Sequence, residues 1–260
     1  MMITSSSNAR IKEAAALIAR HKERKATGLF TAEGKKIFLE APKELVRDVY
    51  VSESFEKEQA DILEGASYTA VKDDVFAKLC DTKTPQGILT VFRQPEYSFE
   101  KMIKSSGTLF VVLENVQDPG NVGTIIRTAE GAGAAGVILS RDCADLFSPK
   151  TIRSTMGSIF RVPFVYADDI CSAAEGLRQA GIKTCAAHLA GNAAYDEAEY
   201  GERTALFIGN EGSGLTPELT AQADILVRIP MQGNLESLNA SVAAGILMYT
   251  IIRKDRGSNE

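Results

Sequence analysis

Three times after residue 107 the chain runs a short, predominantly apolar stretch straight into a polar, glycine-bearing loop that leads to a helical pattern. The stretches are Leu109–Leu113, Ala205–Ile208 and Ile225–Ile229, and their loops begin at Asn115, Gly209 and Pro230. Strands separated by helices imply a mostly parallel sheet. Strand, helix and strand in succession require right-handed crossovers, and ligands in such sheets settle beyond the carboxyl ends of the strands. The pattern predicts a mostly parallel α/β sheet with its site among those loops.

Further strands are expected at Val137–Leu139 and Thr184–Ala187. Helices are expected from about Val122 to Ala132, near Pro149–Met156, over Ile170–Gln179 and from about Leu238 to Ile252. The N-terminal part reads as a smaller α/β unit, with strands at Leu29–Ala32, Val46–Val51, Tyr68–Val71 and Ile88–Phe92. Helices at Ile11–Ile18, Gly34–Glu40, Phe55–Leu63 and Asp74–Leu79 separate them. Between the parts lies the polar, turn-rich stretch Arg93–Gly107. A chain of 260 residues suits two modest domains, read as 1–95 and 107–260 with a linker over 96–106.

Several function classes are excluded at this level. Ser237–Ile252 is 16 residues long and contains Asn, Ser and Thr, short of the ~20 apolar residues of a membrane span. The N-terminus MMITSSSNARIK has no apolar secretion core, so a cytoplasmic protein with reduced thiols is expected. Cys80, Cys143, Cys171 and Cys185 form no CxxC pair, and His21 and His188 are the only histidines. Neither a zinc cluster nor a His-assisted nucleophile fits that inventory, and no metal is expected.

The net charge of −5 disfavours a nucleic-acid partner only until it is divided by region. Residues 1–36 carry Arg10, Lys12, Arg20, Lys22, Arg24, Lys25, Lys35 and Lys36 against Glu13, Glu23 and Glu33, a local +5 that leaves −10 for the rest. A local basic patch is what contact with a phosphate backbone needs; a solvated helix face is the competing reading.

Gly131-Ala132-Gly133-Ala134-Ala135-Gly136 matches GxGxxG by letter, but a dinucleotide fingerprint follows a strand and opens a helix. Here a helix comes first and a strand second, so these residues are expected to end a helix and allow close packing. Asn121 is expected to cap the helix that carries Arg127. Arg127 sits among Ile125, Ile126 and Ala129, suited either to gripping phosphate or to pairing with Glu130 or Asp118. Gly209-Asn210-Glu211-Gly212-Ser213-Gly214 is a loop whose glycines admit close backbone approach, and Thr216-Pro217 opens the next helix. In the third segment, Ile229-Pro230-Met231 leads to Ser237 or Asn239 as cap of an almost wholly apolar helix, suited to a buried position or a dimer surface.

Together, NxGxxxRT at Asn121–Thr128, GNEGxG at Gly209–Gly214 and IPM…SLNxSVA at Ile229–Ala243 resemble the motifs of the SpoU (TrmH) family of RNA ribose 2′-O-methyltransferases, within the SPOUT class. SNxRIK and TPQGIL in residues 1–95 resemble the substrate-binding domain that precedes the catalytic domain in rRNA-modifying members. The resemblance implies a trefoil-knotted C-terminal domain and S-adenosyl-L-methionine held by Gly209, Ile229 and Leu238, with Met231 nearby. It also implies a homodimer with its active site at the interface. It assigns Arg127 to activation of the 2′-hydroxyl, Asn121 and Glu211 to shaping the site, and Ser237 and Asn239 to orienting substrate or loop. The expected substrate is structured RNA, with 23S rRNA ahead of tRNA and the basic residues of 1–36 as its grip. A non-catalytic RNA-binding protein of the same fold is the alternative, and a nicotinamide oxidoreductase would rest on the misplaced glycines alone.

Overall fold

The computed structural model describes residues 2–257, which divide into two compact units. The first comprises the described residues up to Pro95 together with Asp145–Phe160; the second comprises Glu96–Ala144 and the chain from Arg161 on.

In the first unit, β1 (Leu29–Glu33), β2 (Val46–Ser52), β3 (Thr69–Val71) and β4 (Ile88–Arg93) form a sheet of order β1-β4-β2-β3. β4 is antiparallel to both neighbours, and β2 and β3 are parallel. Alternation along the strands sorts the core into two layers. Tyr50, Leu89 and Val91 meet Ile11, Ala14 and Leu17 of the helix Ala9–Ala19, whereas Val49, Val51 and Ile88 meet Phe55 and Leu63. The segment Asp145–Phe160 brings Phe147 to 4.9 Å from Phe30, and Phe160 to 5.1 Å from Phe92, ring centre to ring centre.

That segment also corrects the reading of Arg24 as an RNA contact. Arg24 is 5% exposed. Its Nε donates to Asp145 Oδ2 at 2.8 Å, its Nη2 stands 2.7 Å from the same oxygen as an ion pair, and Nη1 donates to the carbonyls of Leu17 and Ile18. Its donors are committed inside the unit, so no phosphate can reach them. Lys12, Arg20, Lys22, Lys25, Lys35 and Lys36 are exposed. Arg10 is also exposed but is paired with Asp48 at 2.9 Å.

The second unit is a seven-stranded sheet. Its strands are β5 (Leu109–Leu113), β6 (Gly136–Ser140), β7 (Phe164–Ala167), β8 (Lys183–Ala187), β9 (Ala193–Ala194), β10 (Thr204–Ile208) and β11 (Ile225–Arg228). Every pairing is parallel, in the order β7-β6-β5-β10-β8-β11-β9. β5, β6 and β10 are buried along their whole length, which accounts for their unbroken apolar sequences. β5 lies between β6, which follows it, and β10, which comes much later. The chain therefore reverses its direction of winding at β5.

Several elements went unread in the sequence, among them β9 and the helix His21–Thr27. Phe99–Ile103 is a short helix inside the stretch taken for a linker, capped by Ser98. Its Met102 is buried where a Cβ on Gly136 would come within 2.3 Å of the Met102 sulfur. The strand β7 was also missed. The glycine-rich stretch behaves as its order required: the helix Pro119–Gly131 precedes it, Gly133 adopts φ 69°, and β6 follows. The final helix, Ala240–Gly257, buries Ala240, Ala244, Leu247, Met248 and Ile251 along one stripe. It leaves Val242 and Tyr249 about half exposed.

Candidate active site

At the carboxyl ends of β8, β10 and β11 lies a cavity of about 820 Å³, within the ~300–1,000 Å³ of small-molecule sites. Its walls come from the loop Gly209–Leu215, the stretch Ile229–Met231, the segment Leu235–Leu238 and the inner face of the final helix. Gly209, Ile229, Met231 and Leu238, singled out for cofactor contact, all line it, as do Glu211 and Ser237. Asn121, Arg127 and Asn239 do not belong to its lining.

The glycine loop is a closed ring. Asn210 and Gly214 exchange backbone hydrogen bonds at 3.0 Å in both directions, and the Asn210 side-chain oxygen accepts from the amides of Gly212 and Ser213. A Cβ on Gly209 would stand 2.3 Å from the Gly214 carbonyl carbon, so only glycine lets the ring close.

Asn121 is not the cap of its helix. Asp118 is: its carboxylate accepts from the Asn121 amide at 2.9 Å, with Pro119 opening the helix. The displacement by three residues puts the Asn121 side chain to another use. Its Nδ2 donates to Glu211 at 2.9 Å, while its Oδ1 accepts from Asn239 Nδ2 at 2.9 Å. Asn239 Oδ1 in turn accepts from the amide and hydroxyl of Ser241, at the start of the final helix. One chain of side-chain hydrogen bonds thus joins the three segments picked out in the sequence.

Glu211 also accepts from the amides of Gln117 and Asp118, each at 3.2 Å. Partial burial alone would raise its pKa. The hydrogen bonds from Asn121, from its own amide and from Gln117 and Asp118 outweigh that effect and hold the carboxyl below its usual range. It is a charged acceptor at neutral pH, not a proton donor.

Arg127 is exposed and, among the described residues, has no hydrogen-bond or ion-pair partner. Of the acids considered for it, Glu130 grips Arg161 and Asp118 caps the helix. Ser237 is exposed on the rim. Sequence reasoning missed His188 and Leu189, which line the cavity where the chain leaves β8; His188 Nδ1 accepts from the Ala190 amide at 3.1 Å. The rule that ligands sit beyond strand ends would have pointed to them. Among the described residues no group of His, Cys, Asp and Glu is arranged to hold a metal ion, and no helix is long and apolar enough to cross a membrane.

Comparison with known proteins places this geometry in a family. Residues 108–249 match the SpoU rRNA Methylase family, and residues 8–90 match the MRM3-like substrate binding domain. The chain is 36% identical over 249 residues to the 23S rRNA (guanosine(2553)-2′-O)-methyltransferase RlmP of Bacillus subtilis, covering 95% of this chain and 97% of that one. Among solved structures, an AdoMet-bound rRNA methyltransferase from Sinorhizobium meliloti superposes with a TM-score of 0.86 at 32% identity, over 98% of both chains. The SpoU methyltransferase AviRb from Streptomyces viridochromogenes, in complex with AdoMet, gives 0.84 at 28% identity over 95% of this chain and 98% of that one. A parallel sheet with its cavity beyond the strand ends, a glycine ring on one wall and a side-chain relay through three motifs thus belongs to a SpoU-family RNA ribose 2′-O-methyltransferase, carrying an MRM3-like domain ahead of its catalytic one.

Proposed function

We propose that this enzyme transfers the methyl group of S-adenosyl-L-methionine to a ribose 2′-hydroxyl of 23S rRNA, as a cytoplasmic homodimer. The observation that carries the reading is the relay Glu211–Asn121–Asn239 beside a cavity of cofactor size. The likeness to RlmP over nearly the whole of both chains supports the 23S substrate. The cavity suits the cofactor: Gly209 and Ile229 bring main-chain groups to it, and Leu238 and Met231 supply apolar surface. When bound, S-adenosylmethionine supplies a methyl group on a sulfonium, a carrier that needs neither metal nor acid to leave.

The chain's own residues then position and stabilise. The guanidinium of Arg127 offers no lone pair, so the hydroxyl proton passes to solvent water as the oxygen–methyl bond forms and the sulfonium–methyl bond breaks, while Arg127 stabilises the developing alkoxide and holds the neighbouring phosphate. Alignment of the hydroxyl for in-line attack supplies roughly 7–11 kcal/mol of barrier reduction. Asn121 and Glu211 fix the wall of the site, and Ser237 and Asn239 orient the substrate side of the rim. Arg127 lies outside the lining of its own chain's cavity, which supports a dimer in which each copy lends this arginine to the other. The half-exposed Val242 and Tyr249 on the final helix favour the same arrangement. In this reading the C-terminal backbone is a trefoil knot, and the exposed Arg10, Lys12, Arg20, Lys22, Lys25, Lys35 and Lys36 grip RNA phosphates.

Incubation with methyl-labelled cofactor and either 23S rRNA or tRNA, followed by nuclease mapping, tests the reading. Label on a 2′-oxygen of 23S rRNA, lost in Arg127→Ala, is the expected result. Label on a base, or on tRNA alone, overturns it.

A further inference from the structure

We infer that Glu114 is a positioning residue for the cofactor, acting through the glycine ring rather than by touching the ligand. The inference rests on the reading of the cavity as the S-adenosylmethionine site. Glu114 follows β5 directly, and its amide donates to the Ile208 carbonyl at 2.9 Å, extending the pairing of β5 with β10. The residue is 4% exposed. Both carboxylate oxygens are engaged by one residue: Oε2 accepts from the Thr216 amide at 2.7 Å and Oε1 from the Thr216 hydroxyl at 2.7 Å. Among the described residues Glu114 has no cationic partner.

That arrangement is a poor way to gain stability. Burying a carboxyl group with no counter-charge beside it carries a desolvation penalty, and an apolar side chain would fill the space without it. What the carboxylate provides is direction. Thr216 ends the segment that begins at Gly209, and the other foot of that segment is tied next door: Asn210 Nδ2 donates to the Asn115 carbonyl at 2.8 Å. Consecutive residues at the end of β5 therefore grip both feet of the ring, and Glu211 reaches from its crest to the amides of Gln117 and Asp118. Gly209 through Leu215 line the cavity, whereas Glu114 and Thr216 do not. Glu114 thus sets where the ring's main-chain groups stand without meeting the ligand.

The test is calorimetric titration of the full-length protein with S-adenosylmethionine, beside urea unfolding of the same samples. Glu114→Ala strands the Thr216 amide, and affinity is expected to fall at least about tenfold, equivalent to about 1.4 kcal/mol. Glu114→Gln keeps a carbonyl to accept that amide and is expected to stay within about threefold of wild type. Leu177→Ala, a fully buried core change in the same unit, is expected to lower stability and leave affinity unaltered. A folded Glu114→Ala protein with wild-type affinity, or a Gln variant as weak as the Ala variant, overturns the inference. If Glu114→Ala does not fold, Thr216→Val removes the hydroxyl half of the clamp; about threefold weaker binding supports the inference and unchanged binding overturns it. Failure of the wild-type protein to take up S-adenosylmethionine would instead remove the cofactor assignment itself.

Discussion

Arg24 offers the sharpest test of how residues 1–36 divide between folding and RNA contact. Replacing it by alanine removes three donated hydrogen bonds, one to Asp145 Oδ2 and one to each of the Leu17 and Ile18 carbonyls, together with the Nη2–Asp145 ion-pair contact. Asp145 keeps the Phe147 amide, at 2.9 Å, on its other oxygen. Breaking one side of a buried pair costs about 3–5 kcal/mol, because the remaining charge stays desolvated. The Asp145 side chain is 16% exposed, so water offsets part of that cost and the lower end of the range is expected. With a urea m-value of about 2 kcal/mol/M, 3 kcal/mol moves the midpoint of the first unit down by about 1.5 M. Urea unfolding followed by circular dichroism reads this directly, with Lys25→Ala as the exposed neighbour expected to stay within about 0.5 kcal/mol of wild type. RNA affinity should respond the other way, weakening with a shallower salt dependence in Lys25→Ala. If Arg24→Ala unfolds at the wild-type midpoint and binds RNA more weakly, Arg24 is a phosphate contact after all and the assignment to the fold is wrong.

Other expectations concern the cavity and its relay. Gly209→Ala drives a Cβ to 2.3 Å from the Gly214 carbonyl carbon and should open the ring, abolishing cofactor binding by calorimetry; binding at wild-type affinity would show that the ring tolerates a side chain. Asn121→Ala removes the middle of the relay and should lower kcat at least about tenfold, with each lost bond worth about 0.5–1.5 kcal/mol and more where a charge is involved; a change confined to the KM for RNA would refute a role in the catalytic wall. Because the folded pKa of Glu211 lies below its usual range, the contribution of its contacts is complete above that range and lost as pH falls through the depressed value. Cofactor affinity should therefore be insensitive to Glu211 between about pH 6 and 9. A titration in that window that disappears in Glu211→Gln would contradict it.

The parts legible in the sequence were those set by local pattern. The apolar runs of β5, β6, β8 and β10 fell where the strands lie. The helix Ile170–Gln179 matches to the residue, and Thr216-Pro217 opened a helix as expected. What was missed depends on residues far apart. Arg24 looks like its basic neighbours until Asp145, 121 residues away, is known. β7 is four residues, with only Phe164 fully buried, so it lacks a clear run. Asn121 and Asp118 are both good caps, and proline in the first turn was the overlooked signal that the helix begins earlier. The three motifs could be read singly, but nothing local says that Asn121 spans the gap between Glu211 and Asn239.

That span also has a consequence in time. Asn121 meets Glu211 across 90 residues and Asn239 across 118. As the chain leaves the ribosome, all strands of the second unit are available once β11 has emerged, yet the cavity still lacks the wall supplied by Leu235–Leu238 and the final helix. Ligand competence is thus a late event, installed by the segment synthesised after the sheet. A chain truncated before Leu235 is therefore expected to lack that wall and to fail to bind S-adenosylmethionine.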